Sequence, residues 1–213
     1  MIVAALYVAR GGRYWDVSGV DPWDEARDAR GYSGPYPVVA HPPCERWGRY
    51  WNGGPSAKVR RVKGDDGGCF AAALASVRAW GGVLEHPEAS SAWPAFGLDA
   101  PPRGGGWVAA GDFAGWTCCV EQGHYGHRAR KATWLYAVGC ELPALQWGAA
   151  QGLCARMEAG VHRAAERARA RGASPTRAGA VAFLPRRERA ATPLPFRDLL
   201  LGMARTASGR VHL

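Results

Sequence analysis

The feature that most constrains this fold is an alternation of short apolar runs with one well-formed amphipathic segment. Val38-Val39-Ala40 reads as a short buried strand. Cys69 to Trp80 has an apolar face at helical spacing (Phe70, Leu74, Val77). Gly81-Gly82 stops that helix, and Val83-Leu84-Glu85-His86-Pro87 follows as a second buried strand. Residues 2–8 predict an earlier strand broken by Gly11-Gly12, and Thr117–Gln122 and Thr133–Val138 predict two later ones. Strands alternating with helices point to an α/β fold with a mostly parallel sheet flanked by helices, in one domain over residues 1–213.

The remaining segments are read from their ends. Asp21-Pro22-Trp23-Asp24 has the pattern of a helix start, with an N-cap Asp and Pro at the first helical position, predicting a short helix to about Arg30. Ser90 caps a short helix toward Phe96, and Thr192-Pro193 opens an amphipathic helix over Phe196–Ala207. Residues 45–68 are polar, basic and glycine-bearing, and read as a loop bordering a site. Residues 141–190 form a variable segment with a basic Ala/Arg-rich helix over 149–172. That helix is either a solvated face or a surface tracking phosphates.

Composition narrows the class. The 27 Lys+Arg against 18 Asp+Glu give a net charge of +9, which draws the chain toward polyanions, although a GC-rich genome produces the same arginine excess. No run nears the roughly 18 apolar residues of a membrane span. Met1 to Val8 lacks a basic n-region and a long apolar core, so a cytoplasmic protein is expected. Six cysteines in such a chain do not suggest a disulfide framework. Cys118-Cys119 with His124, His127 and Cys140 invites a zinc reading. Adjacent strand residues point to opposite faces, however, and the usual Cys-x2-Cys pairs are missing, so no metal is expected.

In an open parallel sheet the carboxyl ends of strands line the ligand crevice. Three segments therefore converge: His41-Pro42-Pro43-Cys44, Glu85-His86-Pro87, and His124 to Lys131. They offer a thiol, a carboxyl group and several cations. The chemistry they suit is attack on an electron-poor ring: the thiolate adds, the carboxylic acid protonates a ring nitrogen, and cations hold a phosphate or carbonyl oxygen.

These residues carry a resemblance. Pro42-Pro43-Cys44 after an apolar strand resembles the nucleophile motif of the DNA (cytosine-5) methyltransferases. Val83-Leu84-Glu85-His86-Pro87 is similar to that family's strand ending in Glu-Asn, with His86 in place of Asn. Tyr125-Gly126-His127-Arg128-Ala129-Arg130-Lys131 and the strand after it are similar to its later basic motif as written in phage relatives. The closing stretch from Ala191 to Leu200 resembles its last helix. The three central motifs stand in family order over about residues 38–139.

The resemblance implies a shortened Rossmann-like methyltransferase-type fold, a phage or prophage origin, and DNA, duplex or single-stranded, as partner. It implies that Cys44 attacks C6 of a flipped-out cytosine, that Glu85 binds the exocyclic amine and N3, and that Arg128, Arg130 or Lys131 holds the base oxygen or a phosphate. Among these cations Arg130 is the expected catalytic one. His41, Pro43, His86, His124, His127 and Arg49 are expected around the substrate, with Trp47, Tyr50 and Trp51 supplying stacking. The implied cofactor is S-adenosylmethionine. Only Arg10-Gly11-Gly12-Arg13 stands where the family's glycine-rich cradle should be, and Asp21, with Trp23, is the candidate for its ribose-binding acid. The long target-recognition region is also missing. Three functions stay open: C5 modification of cytosine in DNA, most simply methyl transfer; a non-catalytic DNA-binding relic; and the same chemistry on a free nucleotide or with another donor.

Overall fold

The computed structural model describes residues 1–48, 51–53, 58–59, 61–112, 114–153, 155–156 and 182–208. Its strands are β1 (Val3–Leu6), β2 (Val20–Trp23), β3 (Val38–Ala40), β4 (Gly82–Pro87), β5 (Val108–Ala109), β6 (Trp116–Glu121) and β7 (Ala132–Val138). They form one sheet in the order β2-β1-β3-β4-β7-β6-β5. β2, β1, β3 and β4 are mutually parallel, while β4–β7, β7–β6 and β6–β5 pair antiparallel. The α/β class is as expected. The sheet is mixed, because the loop after β6 is a short reversal that returns β7 antiparallel instead of a helical crossover.

Side-chain alternation along the strands builds two cores. On one face Ala4, Leu6, Val38, Ala40, Leu84 and Trp134 meet α1 (Cys69–Trp80) through Phe70, Leu74 and Val77. On the other, Val3, Ala5, Val39, Val83 and Leu135 meet a C-terminal helix through Phe196, Leu200 and Met203. On the α1 face, α2 (Ala92–Ala95) adds the buried Trp93. α1 follows the predicted limits, since Gly68 and Gly81 bound an uninterrupted apolar periodicity.

The helix expected over 21–30 is replaced by β2 and two three-residue 3-10 turns, Glu25–Arg27 and Ala29–Gly31. Pro22 is tolerated because β2 is an edge strand, where a missing N–H leaves no ladder bond unmade. The cap is Asp24, whose side chain accepts from Arg27 N at 3.1 Å. Of the basic segment 141–190, residues 154 and 157–181 lie outside the described residues. Residues 149–153 are not helical, and β8 (Ala155–Arg156) pairs parallel with β9 (Ala182–Phe183). Two helices close the described chain, α3 (Arg186–Ala190) and α4 (Leu194–Arg205).

Gly82 opens β4 at φ +113°, and a Cβ there would overlap the Val38 backbone of β3. Gly82→Ala is expected to cost more than about 2 kcal/mol, read from urea unfolding midpoints at unchanged slope.

Candidate functional site

The chain runs outward from β1 to β2 and then returns to the other side of β1 to make β3, so the direction of sheet growth reverses between β1 and β3. A crevice opens beyond the carboxyl ends of strands at such a reversal. Tyr7, the residue after β1, takes a left-handed φ of 61°, a conformation that side-chain-bearing residues hold only under constraint. His41 follows β3 and donates its backbone N–H to Leu6 O at 3.1 Å, which ties the two strand ends together.

Register then places the chemistry. Ala40 pairs with Leu84, so the next residues, His41 and Glu85, stand side by side on the α4 face of the sheet. His41 Nδ1 lies 2.9 Å from Glu85 Oε2, and His41 Nε2 lies 2.8 Å from the hydroxyl of Tyr14, from the loop after β1. On the other side Gln122, at the end of β6, donates from Nε2 to Glu85 Oε1 at 3.2 Å and to Thr133 Oγ1 at 2.9 Å. The result is a polar row, Tyr14–His41–Glu85–Gln122–Thr133, crossing four neighbouring strand ends. The His41 and Glu85 side chains are 13% and 11% exposed, enough for contact from outside. Sequence reasoning missed Tyr14, Gln122 and Thr133. Tyr14 sits in a glycine-bearing loop without a pattern, and Gln122 and Thr133 read there as strand ends.

Burial works to raise the Glu85 pKa, but the His41 hydrogen bond and charge, then Lys131 and His86, outweigh it and bring it down to about 2. Glu85 is therefore a carboxylate at neutral pH. The expectation of a carboxylic acid ready to protonate a ring is corrected: in the unliganded site Glu85 is an acceptor. Cys44 is part-buried, and burial first, then the Glu85 charge, push its thiol up, while Lys131 opposes them. Burial lowers the Lys131 ammonium, and Glu85 and Cys44 pull it back up. Cys44, Glu85 and Lys131 thus share one electrostatic environment. Lys131 Nζ also donates to the carbonyls of Ala190 and Ala191, at 3.3 and 3.2 Å, just before α4.

Other expected site residues fall elsewhere. Arg130, the expected catalytic cation, is exposed, and its Nε lies 3.5 Å from Glu121 Oε2 in a cleft with Glu88, Arg103 and Cys119; Lys131 is the cation beside Glu85. Arg128 is exposed and pairs with Glu188 of α3 at 3.1 Å. Trp47 is a core residue: its ring packs on Phe70 and Phe96, and its Nε1 donates to Asp66 at 2.7 Å, so no face is left for stacking a base. His86 points to the α1 face, is 1% exposed, and bonds Ser90 Oγ at 2.7 Å. His127 is buried with Nδ1 on the Ala129 carbonyl, and His124 Nε2 bonds the Gly148 carbonyl. Pro43 is exposed beside Cys44, and Trp51 is half-buried. Arg49 and Tyr50 lie outside the described residues. Cys118 and Cys119 enter opposite cores, as strand alternation requires.

Comparison with family models finds no match, and comparisons with curated proteins and with solved structures find none either.

The residues after β1 do not fit S-adenosylmethionine as the resemblance implies. No helix follows β1; residues 9–15 close turns on themselves, with Gly12 N–H on Ala9 O and Trp15 N–H on Gly12 O. A helix N-terminus with free N–H groups is therefore absent there. Asp21 is taken by Arg27 and by the indole of Trp23 at 2.9 Å, and the Trp23 ring carries the Arg27 guanidinium at 4.1 Å.

The two buried groups on opposite faces of β4 give the fold an acid dependence. Burial lowers His86 from 6.5 to about 4, so its contribution is full above pH 6.5 and lost as pH falls toward about 4. Glu85 contributes fully above 4.5, and that part is lost as pH falls toward about 2. Denaturant midpoints should therefore fall in two stages on acidification, the upper worth up to about 3 kcal/mol. His86→Asn should remove the upper stage alone.

Proposed function

We propose that the protein modifies cytosine at C5 in DNA through covalent attack by Cys44. The observation that carries this reading is that Cys44 after β3, Glu85 within β4 and Lys131 just before β7 act on one another's charge near the strand reversal. The parallel half of the sheet and its reversal support a shortened Rossmann-like architecture. The net charge of +9 favours a polyanionic partner.

In this reading the Cys44 thiolate adds to C6 of an extruded cytosine, and the ring electrons move to C5. Lys131 stabilises the thiolate against the neighbouring Glu85 charge. Glu85, already ionised, accepts hydrogen bonds from the exocyclic amine and from the ring nitrogen, which takes a proton from solvent as the thiolate adds and so draws the ring electrons off C6. A methyl donor would then pass its methyl group to C5 and depart as the demethylated leaving group, after which the C5 and ring-nitrogen protons return to solvent and the thiolate is expelled. Because the β1–β2 segment does not fit S-adenosylmethionine, no step is routed through it.

The first half of the reaction is testable without a donor. Once Cys44 has added, C5 takes a proton from solvent, and elimination of the original C5 hydrogen and the thiolate restores cytosine with its C5 hydrogen exchanged. In heavy water the protein should place one deuterium on deoxycytidine of duplex or single-stranded DNA, read by nucleoside mass spectrometry, and Cys44→Ser should not. Exchange on the mononucleotide alone would move the substrate to a free nucleotide. No exchange on any of the three would overturn the covalent mechanism.

The two adjacent cations separate cleanly. Lys131→Met is expected to slow exchange about 100-fold, whereas Arg130→Ala should change it less than about 3-fold.

A further inference from the structure

We propose that Tyr14 and His41 are positioning residues that fix the imidazole tautomer and, through it, hold Glu85 in one orientation as a hydrogen-bond acceptor. The proposal rests on the reading that Glu85 meets the substrate, and assigns work to two residues that touch no reacting atom in it.

The hydrogen bonds set the direction. A carboxylate only accepts, so the hydrogen between His41 and Glu85 belongs to His41 Nδ1. The Tyr14 phenol is 4% exposed, and burial, followed by the Glu85 charge, pushes its pKa far above 10, so its O–H stays a donor across the working range. That O–H lies 2.8 Å from His41 Nε2, which in the neutral ring is the acceptor. Tyr14 therefore favours the tautomer with hydrogen on Nδ1, where Glu85 needs it. The two rings pack tilted, 5.2 Å between centroids, so the phenol and the imidazole are in contact as well as hydrogen-bonded.

The other groups around Glu85 cannot substitute. His86 is on the same strand but faces the opposite core, bonded to Ser90. Lys131 is shared with the Ala190 and Ala191 carbonyls and with Cys44. Cys44 and Tyr14 are groups whose ionisation Glu85 opposes. Gln122 holds the far oxygen as a neutral donor at 3.2 Å. His41 therefore makes the shortest hydrogen bond to Glu85, and Tyr14 sets which nitrogen of the neutral ring carries the hydrogen for it.

The test is the carboxyl carbon-13 titration of Glu85, which needs no turnover, with the C5 exchange rate beside it; the acid limb of exchange itself follows the Cys44 thiol. Removing the donor lets burial dominate, so the Glu85 titration should move to higher pH. The expected shift is at least about one unit in His41→Ala and about half a unit in Tyr14→Phe. His41→Asn, which keeps an N–H near the Nδ1 position, should bring the titration back. Slower exchange with an unmoved Glu85 titration would overturn the proposal and leave both residues as packing. Nitrogen-15 imidazole spectra of the wild-type protein should show hydrogen on His41 Nδ1, and carboxyl carbon-13 titration should show Glu85 charged well below pH 4.5. If the wild type exchanges no cytosine, the functional reading falls, while these spectra still decide the positioning. Hydrogen on His41 Nε2 alone, or a Glu85 titration unchanged in Tyr14→Phe, would overturn it.

Discussion

Keeping a carboxylate ionised with only a tenth of its side chain in contact with water costs several kcal/mol unless donors replace the lost solvent. Glu85 meets that condition through His41 on one oxygen and Gln122 on the other. Each donor is then anchored in turn, His41 by Tyr14 and Gln122 by Thr133. One buried charge thereby ties the loop after β1, the ends of β3 and β4, and the β6–β7 reversal into a single arrangement. The same charge works against the Cys44 thiolate and supports the Lys131 ammonium. Losing Glu85 would leave a row of buried donors without an acceptor, a larger penalty than the loss of one surface pair.

The α1 unit and its two strands were legible in the sequence because their apolar periods are clean and their ends are marked by glycine. β2 was not, since Asp21-Pro22-Trp23-Asp24 fits a helix start equally well, and only its place at the sheet edge decides the matter. The antiparallel return of β7 was also hidden, because strand content carries no direction. In the site, Cys44, Glu85, His41 and Lys131 were visible as reactive residues next to apolar runs. Which of them share a face was not visible, because that depends on register. The Ala40–Leu84 pairing puts His41 beside Glu85, and alternation turns His86 away from both. The chain leading into β7 likewise sends Lys131 toward Glu85 and Arg130 toward Glu121, two neighbours that look interchangeable on paper. Trp47 misled for a related reason. An aromatic three residues past a thiol looks like a pocket wall, but its indole N–H had a carboxylate partner in Asp66 and its ring had Phe70.

The way the α4 face is covered follows from the same economy of chain. A doubly wound sheet ordinarily covers both faces with crossover helices, yet the β1–β2 connection here is a set of turns too short to do so. The last helix, α4, supplies the missing layer, burying Phe196, Leu200 and Met203 against β1, β3 and β4. Its lead-in passes over the polar row, where the Ala190 and Ala191 carbonyls accept from Lys131 and Glu188 pairs with Arg128. Those carbonyls complete the hydrogen bonding of a desolvated ammonium whose charge Glu85 supports, and they fix where the chain turns into α4. In the proposed reaction a base entering beside Cys44 would compete with them for Lys131. The residue that balances the thiolate is therefore also the one that connects the site to the closing helix, and the stability of that helix and the charge state of the site are coupled through a single side chain.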